Sequence, residues 1–139
     1  MTVTRPTTIT APVSDAPPVE EHPGVHIDLA WQTVCDVSRL MPERGVAALV
    51  GDVQVAIFLT HDGDLHAIDN IDPISGAAVL SRGIVGDRGG VPTVASPIYK
   101  ESFSLLDGRC LDADGVSVTV HEVRVTDGSV QIGISCQVL

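Results

Sequence analysis

From Trp31 onward the chain alternates short apolar runs with turn signals, a pattern that predicts strands rather than helices. Trp31 to Val37 is the first run. Leu40 to Gly45 reads as a turn through Pro42 and Gly45, and Val46 to Val50 and Val53 to Thr60 read as strands joined at Gly51-Asp52. Asp62-Gly63 then turns the chain into a return strand, Leu65 to Asp69. Between Ala77 and Pro92 the four glycines at 83, 86, 89 and 90 point to turns, with short strands at Ile84 to Val85 and Val91 to Ala95 around them. Ser102 to Leu105 and Arg109 to Leu111 flank Asp107-Gly108 as a tight hairpin, and Val118 to Val125 and Ser129 to Ile134 flank Asp127-Gly128 as the last. The alternation Val116, Val118, Val120 slips by one before Val123, Val125, so a bulge or bend is expected at His121-Glu122. The whole predicts an all-β fold, an antiparallel sandwich.

Residues 1 to about 28 break this pattern. They hold five of the nine prolines, with threonines and acids between them, too little apolar surface to offset the entropy of ordering. A disordered tail is expected there and one domain over residues 29–139, large enough at this length to bury a core without disulfides. The alternative for the tail is a docking arm for a partner.

Charge narrows the function classes. Eighteen Asp and Glu against eight Lys and Arg give a net charge of −10, which repels nucleic acid phosphates and anionic lipid head groups. Neither nucleic acid nor membrane is therefore an expected partner. Cys35, Cys110 and Cys136 match neither a Cys-x-x-Cys metal site nor a disulfide framework and read as reduced cytoplasmic thiols. Residues 1–30 lack the continuous apolar core of a secretory signal, and no apolar run is long enough to span a bilayer.

Candidate chemistry concentrates between Ile68 and Asp112. Two loops of similar grammar, Asn70-Ile71-Asp72-Pro73-Ile74-Ser75-Gly76 and Ala95-Ser96-Pro97-Ile98-Tyr99-Lys100, lie on either side of the Gly-rich connector, each with a proline just after a small polar residue. Residues 72 and 74, then 96 and 99, reproduce the Cys-x-His and Cys-x-x-His spacings of Rieske iron–sulfur proteins, and the stretch from Trp31 to Ile134 resembles such a domain. The combination Asn70-Ile71-Asp72-Pro73, Val79-Leu80-Ser81-Arg82-Gly83 and Ala95-Ser96-Pro97 resembles, more narrowly, the small-subunit family of NADH-dependent assimilatory nitrite reductase.

The resemblance implies a Rieske-like antiparallel β-sandwich with a smaller two-loop subdomain. It also implies an oxidoreductase assembly that reduces nitrite to ammonium in nitrate assimilation. The large subunit of that assembly, the expected partner, carries FAD, siroheme and an iron–sulfur cluster. At the four ligand positions this chain has Asp72, Ile74, Ser96 and Tyr99. A Rieske cluster needs two thiolates and two imidazoles, so no cofactor is expected in this chain and no catalytic residue. The role expected is docking on the large subunit through Pro73, Ile74, Pro97, Ile98 and Tyr99. Alternatives are an electron-carrying Rieske-type ferredoxin with unusual ligands and an independent interaction module. Tyr99 has two readings, a phenol filling the place of a ligand imidazole and an exposed loop aromatic. In the same way, the apolar tips either face a partner or turn inward to fill the vacated cluster site.

Other candidates have simpler explanations. Asp62, Asp64, Asp69 and Asp72 lack the spacing of a calcium loop and read as a solvated acidic rim. His22, His26, His61, His66 and His121 form no metal or catalytic spacing. Gly83-x-x-Gly86 and Gly89-Gly90 do not stand between a strand and a helix, the context in which such loops bind phosphate. Cys110 has no neighbouring base and reads as a buried inert thiol.

Overall fold

The computed structural model describes residues 26–138, and among them there is no α-helix. The strands are β1 (His26–Asp36), β2 (Arg44–Val50), β3 (Val53–Leu59), β4 (Leu65–Asp69), β5 (Ile84–Arg88), β6 (Val91–Ala95), β7 (Ser102–Ser104), β8 (Val120–Thr126) and β9 (Ser129–Val138). The first strand begins at His26, ahead of the expected start of the domain, and residues 1–25 of the expected tail lie outside the described residues. The strands form a six-stranded antiparallel sheet in the order β1-β9-β8-β4-β3-β2 and a three-stranded sheet β5-β6-β7.

β3 organises the packing. Its run Val55, Ala56, Ile57, Phe58 is wholly buried, so the strand is covered on both faces. Val55 and Ile57 join Leu65, Ala67, Val123, Val130 and Ile132 in one core. Ala56 and Phe58 join Ile68, Leu80, Val94, Phe103 and Leu105 in a second, which lies under the small sheet and the loops. A strand buried on both sides reads as a continuous apolar run rather than an alternation, which is how Val55 to Phe58 reads.

The valine slip has the same origin. Pairing along β8 shows no bulge: Val120 and His121 pair with β4, and Glu122 to Thr126 pair with β9. His121-Glu122 is where β8 changes partner, and the valines change core with it, Val118 packing in the second and Val123 in the first. The register shift of this sheet lies instead between β9 and β1, at Val130/Gln131. The expected strand Arg109 to Leu111 reduces to single bridges, Phe103 to Cys110 and Arg109 to Ser117. The expected Ile84 to Val85 lengthens to the full hairpin β5-β6, closed by Gly89 and Gly90, both at positive φ as a two-residue hairpin turn requires.

Candidate functional site: two loops locked by Asp72 and Ser96

The two loops share one construction, down to the same hydrogen bonds. In the first, the Asp72 N–H donates to Ala77 O at 2.8 Å, Asp72 O accepts the Gly76 N–H at 2.7 Å, and the Asp72 side chain accepts the Ile74 N–H at 2.8 Å. In the second, the Ser96 N–H donates to Glu101 O at 2.9 Å, Ser96 O accepts the Lys100 N–H at 2.9 Å, and the Ser96 hydroxyl accepts the Ile98 N–H at 3.2 Å. Each loop closes on a left-handed residue, Gly76 (φ 80°) and Lys100 (φ 69°). Asp and Ser at the first position supply the side-chain acceptor that such turns need.

Sequence reading missed a third copy. The Ser104 N–H donates to Arg109 O, Ser104 O accepts the Gly108 N–H at 2.8 Å, its hydroxyl accepts the Leu106 N–H at 3.1 Å, and Gly108 has φ 80°. The signal was present as a polar residue four before a glycine, Ser104 to Gly108 as in Asp72 to Gly76. It lacks the proline that made the other two visible.

The first two loops are fastened to each other. The Ser96 hydroxyl donates to Asp72 Oδ2 at 2.6 Å, with Asp72 and Ser96 0% and 1% exposed. Burial raises the Asp72 carboxyl, but hydrogen bonds from Ser96, from the Ile74 N–H and from Ser75 outweigh it and hold the carboxyl below the usual carboxylate range. Below them, Asn70 Oδ1 accepts the Ser81 N–H at 2.7 Å and ties the first loop to the connector.

The structure therefore brings positions 72 and 96 together and leaves 74 and 99 apart from them. Ile74, Ile98 and Tyr99 are 38%, 43% and 57% exposed, and Pro73 is exposed beside them, with Pro97 half-buried. The apolar tips face outward, and Tyr99 is an exposed aromatic rather than a filler between the loops. Asp72 and Ser96 occupy that place, a pairing the sequence reading did not anticipate. The donor set does not fit a Rieske cluster: the three side-chain oxygens at the thiolate positions, Asp72 Oδ1 and Oδ2 and Ser96 Oγ, are already engaged, Ile74 has no donor atom, and the Tyr99 ring stands in solvent.

The remaining candidates fall into place around this site. Asp62 and Asp64 are exposed, but Asp72 is buried and is no part of an acidic rim. Among the described residues no group of three or more His, Cys, Asp or Glu side chains is arranged to hold a metal. His121 Nε2 lies 2.8 Å from Asp69 Oδ1, a carboxylate that orients the ring; the cavity beside it, lined also by His66, Glu122 and apolar side chains such as Leu105 and Val120, offers no hydroxyl or thiol. Cys110 is buried as expected, and Cys35 is partly buried, with burial pushing its thiol up. No helix among the described residues is long and apolar enough to cross a membrane.

These features define a class, the Rieske-like domain, and the family model of the Rieske-like [2Fe-2S] domain matches residues 30–133. The chain is 46% identical to the nitrite reductase (NADH) small subunit of Escherichia coli K12 over 103 residues, 73% of this chain and 95% of that one. A crystal structure of an NADH-dependent nitrite reductase small subunit from Mycobacterium tuberculosis superposes with a TM-score of 0.74 at 52% identity, over 77% of this chain and 96% of that one. The chain belongs to the family of nitrite reductase (NADH) small subunits. The same domain also occurs within a longer chain: the NAD(P)H nitrite reductase large subunit of Klebsiella oxytoca contains a stretch 42% identical to 74% of this chain, amounting to 11% of its own length.

Proposed function

We propose that this chain is the cofactor-free small subunit of an NAD(P)H-dependent nitrite reductase in the cytoplasm, and that it docks on the large subunit through Pro73, Ile74, Pro97, Ile98 and Tyr99. The observation that carries this is the Asp72–Ser96 hydrogen bond, which holds the two loops together where a cluster would otherwise join them. Apolar tips held out from an acidic domain suit a protein interface rather than water. The presence of the domain inside a large-subunit chain of Klebsiella oxytoca supports the same partner. In this reading nitrite, NADH and the redox groups are all met on the large subunit, and the small one contributes stability, assembly or the shape of the electron path.

Replacing both Ile74 and Ile98 with Asp is expected to abolish co-purification with the large subunit. The Tm of the isolated domain should stay nearly unchanged, because side chains this exposed cost little to alter. Full complex formation by the double variant would end the docking reading. The cofactor half is tested separately: protein produced with iron and sulfide available should be colourless and iron-free by elemental analysis. A stoichiometric two-iron signal in electron paramagnetic resonance after reduction would favour the electron-carrier reading instead.

A further inference from the structure

Strand β5 (Ile84–Arg88) ends its sheet with one side unoccupied among the described residues. Arg88 and Val91 flank the two-residue turn and exchange both hydrogen bonds, so alternation makes Gly86–Thr93 and Ile84–Ala95 the other bonded pairs. The N–H and C=O groups of Val85 and Asp87 therefore point away from β6, with no partner among the described residues. Pro92, opposite Asp87, agrees with this, since a proline has no N–H to give. Such an edge invites another strand unless charged side chains, proline or a bulge guard it. β5 has no proline and no bulge, and its two charges, Asp87 and Arg88, stand together at one end and leave Ile84 to Gly86 unguarded.

Two features say what would fit there. At one end, Ile84 is 70% exposed and pairs with Ala95, which leads directly into Ser96 and the second loop, so the edge continues the proposed docking tips. At the other end, Gly86 and Asp87 border a groove of about 310 Å³ that also contains Glu43, Asp62, Asp64 and His66 and no lysine or arginine. Arg88 is already occupied by Asp112, at 3.0 Å, and His61, which also lines the groove, is engaged with Glu43, so Asp62, Asp64 and Asp87 have no lysine or arginine partner among the described residues. A second copy of this chain, itself at −10, is repelled from such a groove.

We infer that β5 is a strand-addition site for an extended segment of the nitrite reductase large subunit, with an apolar residue beside Ile84 and a lysine or arginine in the acidic groove at Asp87. The inference rests on the proposed function and adds to it a second, backbone-mediated contact.

Hydrogen–deuterium exchange on the wild-type chain, alone and with the purified large subunit, tests it. The Val85 and Asp87 amides should exchange fast in the free chain and at least tenfold slower in the complex. Replacing Asp87 with proline removes one outward N–H, together with the groove carboxylate and the acceptor of the Gly90 N–H, and should weaken the complex at least tenfold. Asp87→Asn, which keeps the backbone N–H and an acceptor for Gly90, should weaken it less, and equal losses would overturn the backbone contact. If the large subunit binds without slowing these amides, the strand-addition site is wrong while the docking reading stands. If it does not bind at all, both fail. Amides already slow in the free chain would overturn the inference too, assigning the edge to residues 1–25 if deleting them restores fast exchange, or to a second copy if slowing appears with dimerisation.

Discussion

Replacing Asp72 with alanine is expected to destabilise the isolated domain by about 3 kcal/mol and to lower its Tm by about 10 °C. The carboxylate is fully buried and accepts from the Ser96 hydroxyl and the Ile74 N–H, with the Ser75 N–H further off at 3.4 Å. A hydrogen bond to a charged group contributes about 1.5–3 kcal/mol, and a buried donor left without an acceptor costs more than the bond was worth. The sum is smaller than three such bonds, because the partly exposed Ile74 and Ser75 amides can turn to water. Replacing Ser96 with alanine should cost less, and the two changes together should cost at least about 1 kcal/mol less than their sum, since both remove the same bond.

The effect has a definite pH dependence. The folded Asp72 carboxyl titrates below the ordinary value, so it stabilises the domain fully above the unfolded carboxylate pKa of about 3.9, and this stabilisation is lost as pH falls through the folded value. Asp72→Asn has no such term. Its deficit against wild type, measured by denaturant unfolding, should be present at pH 7 and shrink progressively as pH falls below the unfolded value of about 3.9. A deficit unchanged across that range would show that Asp72 is not the ionised centre of the lock.

Gly108→Ala is expected to be more damaging still, by about 4 kcal/mol, although it adds only a single methyl group, at a buried position of the third loop. Gly108 sits at φ 80°, and a Cβ there would lie 2.1 Å from Val118 O, whose own N–H donates back to Gly108 O at 2.8 Å. The third loop is thus held so close to the segment leading into β8 that no side chain fits between them. Gly128→Ala separates this from conformational strain. Gly128 has nearly the same φ, 78°, with nothing within 4 Å of its Cβ position, and its replacement should cost only about 1–2 kcal/mol. Equal costs for the two variants, compared by chemical denaturation, would remove the close approach as the cause.

Much of the molecule was determined by local pattern. Short β-branched and apolar runs separated by Gly51-Asp52, Asp62-Gly63 and Asp127-Gly128 set the strands and their hairpins, because turn geometry and strand propensity act over a few residues. The two proline-bearing loops and the residues at their four ligand positions were likewise visible, and the fold class with them. What depended on distant partners was not. Val55 to Phe58 is visibly an apolar run, but only the fold shows that its two faces serve two different cores, and that β8 changes both its partner strand and its core at His121-Glu122. The same limit applied at the candidate site. Asp72 and Ser96 are 24 positions apart, and each already satisfies local turn amides, so nothing near either residue announces the other. Tertiary folding decided that the oxygens at the thiolate positions meet and bond, while Ile74 and Tyr99 are left to solvent, because a buried carboxylate needs a donor and exposed loop tips do not.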